Sequence, residues 1–380
     1  MTANLTSNIW KLTNFLENTN SKFNKEEILS NLTEGLIDDA IKSICTWESY
    51  SPTPLVKLNK LNDQLKFKNI YYKDEDKRFD LKSFKALGGA FAVYKIASEK
   101  KNITVSTATA GNHGRSVAWG AQRLGLKCKI FISEFVSESR AEAMRKLDAE
   151  VIRVKGNYDN SLKECIKQSK ENNWEIVQDV SWEGYKEVPK LIMAGYTIMI
   201  KEILDEVKSN SISHVFLQAG VGGMAAAMIA GFAKLSQNIP KFIIVEPENA
   251  DCVFQSIKNN KPTSVDIKKE TVMGGMSCGD VSSIAWEILK NSSNYCLTIS
   301  DEAISTTVAL LAEKRLSDEK IIAGECAVPG IIALISSFNN KEYLDKLELN
   351  EQSNVLLFGC EGLTDSAMYQ KLLSDGLQKI

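Results

Sequence analysis

Apolar and polar residues along this chain follow two periods that alternate from about residue 51 onward. Short β-rich apolar runs, Val105-Ser106-Thr107-Ala108, Cys128 to Ile132, Glu150 to Val154 and Glu175-Ile176-Val177, predict strands. Between them, Arg115 to Leu124, Glu138 to Leu147 and Asn160 to Glu171 carry helical spacing. A long helix is predicted from about Pro189 to Lys208, followed by a strand over His214 to Gln218 and a helix over Met224 to Leu235. Further strands are predicted at Lys241 to Val245 and Asn354 to Phe358. Earlier in the chain, Ile70-Tyr71-Tyr72-Lys73-Asp74-Glu75 reads as the end of a strand, and Gly88 to Lys95 as a helix of small residues. This alternation predicts an α/β fold with mainly parallel sheets flanked by helices. No internal repeat or long linker separates the elements, so two domains of such a chain would be intertwined rather than strung in series.

The first 50 residues break the pattern, being rich in Asn, Thr and charge. Lys25-Glu26-Glu27-Ile28-Leu29 and Leu36-Ile37-Asp38-Asp39-Ala40-Ile41 still have helical spacing, which predicts short helices packed on the outside. The two prolines of Ser51-Pro52-Thr53-Pro54-Leu55 then force an extended segment leading into the body of the chain.

Composition narrows the function. With 380 residues, 44% of them hydrophobic and 25% charged, the chain can bury a large core. A net charge of −2 leaves no basic field for nucleic acid or anionic lipid. No apolar run is long enough to span a bilayer, and Met1 to Asn20 lacks the apolar segment of a secretory signal, so the expected compartment is the cytoplasm. The 8 cysteines form no CxxC pair, so neither a metal site nor a disulfide framework is expected. Only 2 histidines are present, which excludes chemistry needing several.

Three stretches carry candidate chemistry. In the first, Phe79 to Gly89, Lys85 stands between an expected strand and an expected helix. Partial desolvation there would favour the free amine, which can attack a carbonyl. The second, Gln218-Ala219-Gly220-Val221-Gly222-Gly223-Met224, follows a strand and opens a helix. Its glycines let backbone amides surround one phosphate, and the helix N-terminus adds a favourable dipole. The spacing is neither that of a P-loop nor that of a dinucleotide fingerprint. The third, Thr109-Ala110-Gly111-Asn112-His113-Gly114-Arg115, joins a strand to a helix; Asn112 offers both donor and acceptor, and the turn's amides suit a carboxylate. His113 reads as a positioning group rather than a base. A reactive lysine, a single-phosphate cradle and an Asn turn together point to pyridoxal 5′-phosphate.

These stretches resemble the fold-type II pyridoxal-phosphate enzymes, the tryptophan synthase β and threonine dehydratase group. They resemble most the diaminopropionate ammonia-lyase family, through Arg78-Phe79, Val117-Ala118-Trp119, Gln178-Asp179, Trp182-Glu183-Gly184-Tyr185, Ile192-Met193 with Gly195-Tyr196, and Val245-Glu246-Pro247. Cys278-Gly279, Trp286-Glu287-Ile288-Leu289, Gly324-Glu325, Glu361-Gly362 and Thr364-Asp365 extend the match in the same order. The resemblance implies an ammonia-lyase that catalyses β-elimination from 2,3-diaminopropionate to pyruvate and ammonia. It implies that Lys85 links covalently to the cofactor and then removes the α-proton, and that Asn112 bonds the cofactor's 3′-oxygen. The amides of Gly220, Val221, Gly222, Gly223 and Met224 would hold the phosphate, and Cys360, where a threonine is more usual, would face the pyridine nitrogen. Thr109, Ala110, Gly111, His113 and Asp179 would contact the substrate, with Asp179 binding its distal amine or relaying a proton. No metal ligand is implied.

Two departures stand out. Ala110 occupies the place of an aspartate that serves the D-substrate, so activity on the L-isomer alone, or on a changed substrate, is expected. Cys326-Ala327 replaces a Ser-Gly pair, with Pro329 added, and is expected to reshape the wall near the cofactor ring. Two other readings stay open: a serine/threonine dehydratase or β-replacement enzyme on the same scaffold, and a catalytically degenerate ligand-binding member. The implied partition is a helical extension over 1–50, a large cofactor-binding domain over 51–90 and 206–380, and a small domain over 91–205. A homodimer is expected by the same resemblance.

Overall fold

A computed structural model of the chain describes residues 4–207 and 212–380. Two units emerge, one formed by Met1–Asn31, Pro52–Lys82 and Met199–Ile380, the other by Leu32–Ser51 and Ser83–Ile198. The chain thus passes between units several times, as an intertwined arrangement requires. Compared with the expected partition, residues 32–51 group with the second unit rather than forming an extension with residues 1–31, and the helix that Lys85 opens groups there as well.

The first unit is built on a seven-stranded sheet, formed by β1 (Leu12–Glu17), β2 (Leu55–Lys57), β3 (Asn69–Asp74) and four strands from the C-terminal half of the chain. The second unit contributes its own strands between these: β4 (Thr104–Ala108), β5 (Lys127–Ser133), β6 (Glu150–Val154) and β7 (Glu175–Ile176). The remaining strands of the first sheet are β8 (His214–Gln218), β9 (Lys241–Pro247), β10 (Tyr295–Ile299) and β11 (Asn354–Gly359). Their order is β1-β10-β9-β8-β11-β3-β2, parallel except at the two ends, where β1 and β2 run antiparallel to their neighbours. β8, β10 and β11 are buried at every residue, as expected of strands with apolar cover on both faces. The second sheet has the order β6-β5-β4-β7 and is parallel throughout.

Two elements depart from the sequence reading. β1 lies where only short helices were expected. Its pairing is made by a distant strand, with Thr13 and Asn14 both hydrogen-bonded to Thr298 Oγ1 at 2.7 and 2.9 Å, while Phe15 stacks on Tyr343. The single long helix expected from Pro189 divides into Glu187–Tyr196 and Ile198–Val207. At the break the Thr197 hydroxyl donates back to the Ala194 carbonyl at 2.6 Å, a bond that competes with the helical ladder. The expected terminus at Lys208 lies outside the described residues. No helix among the described residues is long and apolar enough to cross a membrane.

A buried ionic cluster anchors the chain just upstream of Lys85. Arg78 donates to both oxygens of Glu75 at 2.8 Å and to both oxygens of Glu202 at 2.7 Å. Lys73 reaches Glu202 at 2.6 Å and the Thr53 carbonyl at 2.7 Å. Two cations and two anions therefore cancel where none is exposed by more than 1%. Beyond Arg78 the backbone enters the left-handed region at Phe79, Asp80 and Lys82, with φ of 49°, 59° and 60°. Each such residue carries strain of about 1–2 kcal/mol. The cluster fixes the start of this strained stretch by gripping Arg78 through its guanidinium.

Candidate active site

Lys85 is the first residue of the helix Lys85–Glu99, but the strand expected before it ends at Asp74, and a short 3₁₀ helix, Glu75–Asp80, lies between them. Two glycines let this helix sit close to its neighbours. A Cβ on Gly88 would lie 2.5 Å from the Ile192 carbonyl of the helix Glu187–Tyr196, and one on Gly89 would lie 2.3 Å from Ser116 Oγ of the helix Asn112–Arg123. Ser116 in turn donates to the Lys85 carbonyl at 2.6 Å. Close helix packing therefore holds the lysine backbone.

The side chain of Lys85 is partly buried and flanked by aromatic rings. Its Nζ lies 5.3 Å from the centre of the Phe84 ring and 5.8 Å from that of Tyr196, within range of cation–π attraction. It donates to Asp179 Oδ2 at 2.5 Å. Burial pushes the Asp179 carboxyl up, but the His113 ring, whenever it is protonated, and the Lys85 ammonium act the other way and prevail, so its pKa falls well below the usual value. The Tyr196 phenol is pushed well up by burial and stays neutral. Phe84 and Tyr196 were not singled out as site residues from sequence. The signal was available in part, since Phe84 adjoins the lysine, but Tyr196 reaches it only through the packing of two helices.

Asp179 is aimed by a clamp on the residues before it. The Gln178 side chain accepts from Thr107 Oγ1 and the Ala108 amide at 2.8 and 3.1 Å and donates to the Ala108 carbonyl at 3.1 Å, joining the loop to β4. The Tyr185 hydroxyl accepts from the Gln178 amide and donates to the Ile176 carbonyl, each at 2.8 Å. Trp182 stacks on Tyr185 with ring centres 4.2 Å apart. The Trp182-Glu183-Gly184-Tyr185 block thus orients Asp179.

The turn after β4 carries the other expected residues of this unit. Thr109 Oγ1 accepts from the Gly111 amide at 3.2 Å, and Asn112 opens the helix Asn112–Arg123 with its side chain partly exposed. Ala110 is also partly exposed and brings no proton acceptor. His113 is buried, and its Nε2 lies 2.8 Å from the Val177 carbonyl. Its ring points to Val177 and Asp179, which is compatible with the positioning role read from the sequence.

In the first unit, the glycine-rich turn lies between β8 and the helix Gly223–Leu235, as expected. Gly222 has φ of +88°, and a Cβ there would lie 2.7 Å from Leu289 Cδ1. A Cβ on Gly220 would lie 3.0 Å from Cys278 Sγ and 3.1 Å from the Gly275 carbonyl. Gly222 is held to glycine by its positive φ and Gly220 is tightly enclosed, and the first-turn amides of a helix have no partners within it, so the turn can present them to an anion. Gly222→Ala is expected to lower stability by at least about 1 kcal/mol, readable as a lower urea midpoint.

Cys360 follows β11, and its buried thiol donates to the Cys326 carbonyl at 3.1 Å. Gln218 donates to the same carbonyl at 3.0 Å and to the Phe358 carbonyl at 2.6 Å. Glu361 accepts from the Cys326 amide at 3.1 Å. Cys326 is itself buried, and burial pushes its thiol far up, so it stays protonated. Pro329 begins the helix Pro329–Phe338, where its missing N–H leaves nothing unsatisfied.

Chemically, the second unit offers an amine nucleophile paired with a carboxylate, and the first offers an anion cradle and a buried thiol. The profile of a family described as pyridoxal-phosphate dependent enzymes matches residues 46–361. Over 352 residues the chain is 34% identical to the diaminopropionate ammonia-lyase of Escherichia coli strain K12, covering 86% of this chain and 88% of that one. Two solved structures of the E. coli diaminopropionate ammonia lyase are similar, each covering 97% of this chain and 98% of that one. One, in complex with an aminoacrylate-PLP azomethine reaction intermediate, has a TM-score of 0.88 at 31% identity; the other, in complex with D-serine, has 0.89 at 30%.

Proposed function

Since this chain belongs to the pyridoxal-phosphate-dependent enzymes, and within them to the diaminopropionate ammonia-lyases, we propose that it eliminates ammonia from L-2,3-diaminopropionate to yield pyruvate and two ammonia molecules. The observation that carries this reading is Lys85, an amine at a helix start, flanked by two aromatic rings and paired with Asp179 at 2.5 Å.

The residues present fit pyridoxal 5′-phosphate. Lys85 would supply the amine for its aldehyde, and the Gly220 to Met224 turn, with little room for a side chain at Gly220 and Gly222, would supply backbone donors for its phosphate. The Asn112 amide suits the 3′-oxygen, and the Cys360 thiol is a neutral partner for the pyridine nitrogen. When bound, the cofactor supplies an electron sink for charge released at the substrate α-carbon. With the cofactor bound, the Lys85 amine would serve as the base for the substrate α-proton. Asp179 holds the substrate's distal ammonium, the group that leaves. The amides of the turn Thr109-Ala110-Gly111 would bind the substrate carboxylate, the Gly111 amide then leaving its bond to Thr109 Oγ1. A homodimer in the cytoplasm completes the reading.

Ala110 sets the stereochemistry. With no acceptor at this position, the face of the α-carbon opposite Lys85 has no base. Initial rates should therefore show turnover of L-2,3-diaminopropionate, with the D-isomer slower by about 10²-fold or more; equal rates would overturn this. The same alanine favours, as a second reading, dehydration of L-serine or L-threonine. Keto-acid production from those two substrates, faster than from L-2,3-diaminopropionate, would select it.

A further inference from the structure

His113 donates through Nε2 to the Val177 carbonyl at 2.8 Å. A carbonyl can only accept, so the neutral ring carries its proton on Nε2, and Nδ1 is a bare lone pair. Nδ1 is buried without a hydrogen-bond partner, and it faces Asp179 Oδ2 across 3.9 Å. Oδ2 is occupied by Lys85 at 2.5 Å. A buried unpaired acceptor is unfavourable. Two lone-pair atoms facing each other in a buried place form a vacant seat for one proton.

We propose that His113 Nδ1 is the reserve proton acceptor of this site: when the Lys85 amine gives up its ammonium charge, the proton passes through Asp179 Oδ2 to Nδ1, and the imidazolium replaces the ammonium as the counter-ion of Asp179. One N–H bond breaks at Lys85 and one forms at His113, and nothing is oxidised or reduced. The gap closes from 3.9 Å toward the roughly 2.7–2.9 Å of a charged hydrogen bond. Before substrate enters, the exchange keeps one positive and one negative charge in the site, so Asp179 is not left as an uncompensated buried anion. The proposal rests on the function above only for the event that discharges Lys85.

The surroundings agree. Burial lowers the His113 pKa, Asp179 raises it and the Lys85 ammonium lowers it further, so the ring is neutral while Lys85 is charged. Lys85 and Asp179 are the charged groups acting on it. The Tyr185 and Tyr196 phenols near Asp179 are pushed up by burial and stay neutral, and the helix Glu138–Arg145 meets this turn through Met144.

The test is ¹⁵N NMR of the full chain labelled at histidine. Only 2 resonance sets arise, and His214, held down to about 4 mainly by burial, is the internal reference. In Lys85→Met without cofactor, the His113 titration midpoint should rise by about 1–3 pH units over the cofactor-free parent. Loading the parent with cofactor should shift it in the same direction. Adding Asp179→Asn to Lys85→Met should cancel the rise. An unchanged or lowered midpoint in Lys85→Met, no shift on loading, or a rise that survives Asp179→Asn would each overturn the proposal. Because Lys85→Met is titrated without cofactor or substrate, failure of the substrate assignment leaves this result unaffected.

Discussion

Lys85→Ala should lower kcat/KM for L-2,3-diaminopropionate by at least about 10³-fold, since under the proposed function one substitution removes both the nucleophile that anchors the cofactor and the base that takes the α-proton. The fold should survive. Lys85 opens its helix, where alanine is a good helix former, and its side chain is 26% exposed. Circular dichroism of the variant should match the parent. Borohydride reduction of the parent, followed by peptide mass mapping, should place the cofactor mass on the peptide containing Lys85. Cofactor mass on another lysine, or a variant retaining more than about a hundredth of the activity, would sink the assignment.

The second large effect is on stability. Arg78→Met removes the fork that neutralises Glu75 and Glu202, leaving Glu202 with Lys73 and Glu75 with only the Thr53 hydroxyl among the contacts described. Breaking such a buried pair from one side destabilises by about 3–5 kcal/mol. A urea titration followed by circular dichroism should show a matching drop in midpoint, and a drop worth less than about 1 kcal/mol would contradict the argument. The pH dependence has a definite sign. Burial pushes the Glu202 carboxyl up, but its bonds to Arg78 and Lys73 outweigh this and its folded pKa lies below the ordinary 4.5. The cluster therefore contributes fully above 4.5 and loses that contribution as pH falls through the folded value. Arg78→Met should flatten the parent's acid destabilisation in this range.

How much of this molecule could be read from its residues differs by region. The strand-turn-helix units from 104 to 247 were legible because each is a local pattern: an apolar run, a glycine or Asn turn, and a segment of helical spacing. Residues 250–350 yielded little. β10 is a five-residue apolar run there, and such a run does not distinguish strand from helix until β9 offers it a partner. β1 was missed for the same reason, being a polar edge strand whose pairing is with β10.

The site divides along the same line. Sequence by itself determined the lysine, the glycine turn and the Asn turn, because a nucleophile and a positive-φ glycine are properties of single residues and their immediate neighbours. Only the tertiary structure decided what those residues meet. Asp179 pairs with Lys85 across 94 positions, and Arg78 with Glu202 across 124. It also set the His113 ring between the Val177 carbonyl and Asp179. The physical reason is that a buried charge is stable only beside its counter-charge, and counter-charges are brought together by packing, not by proximity along the chain.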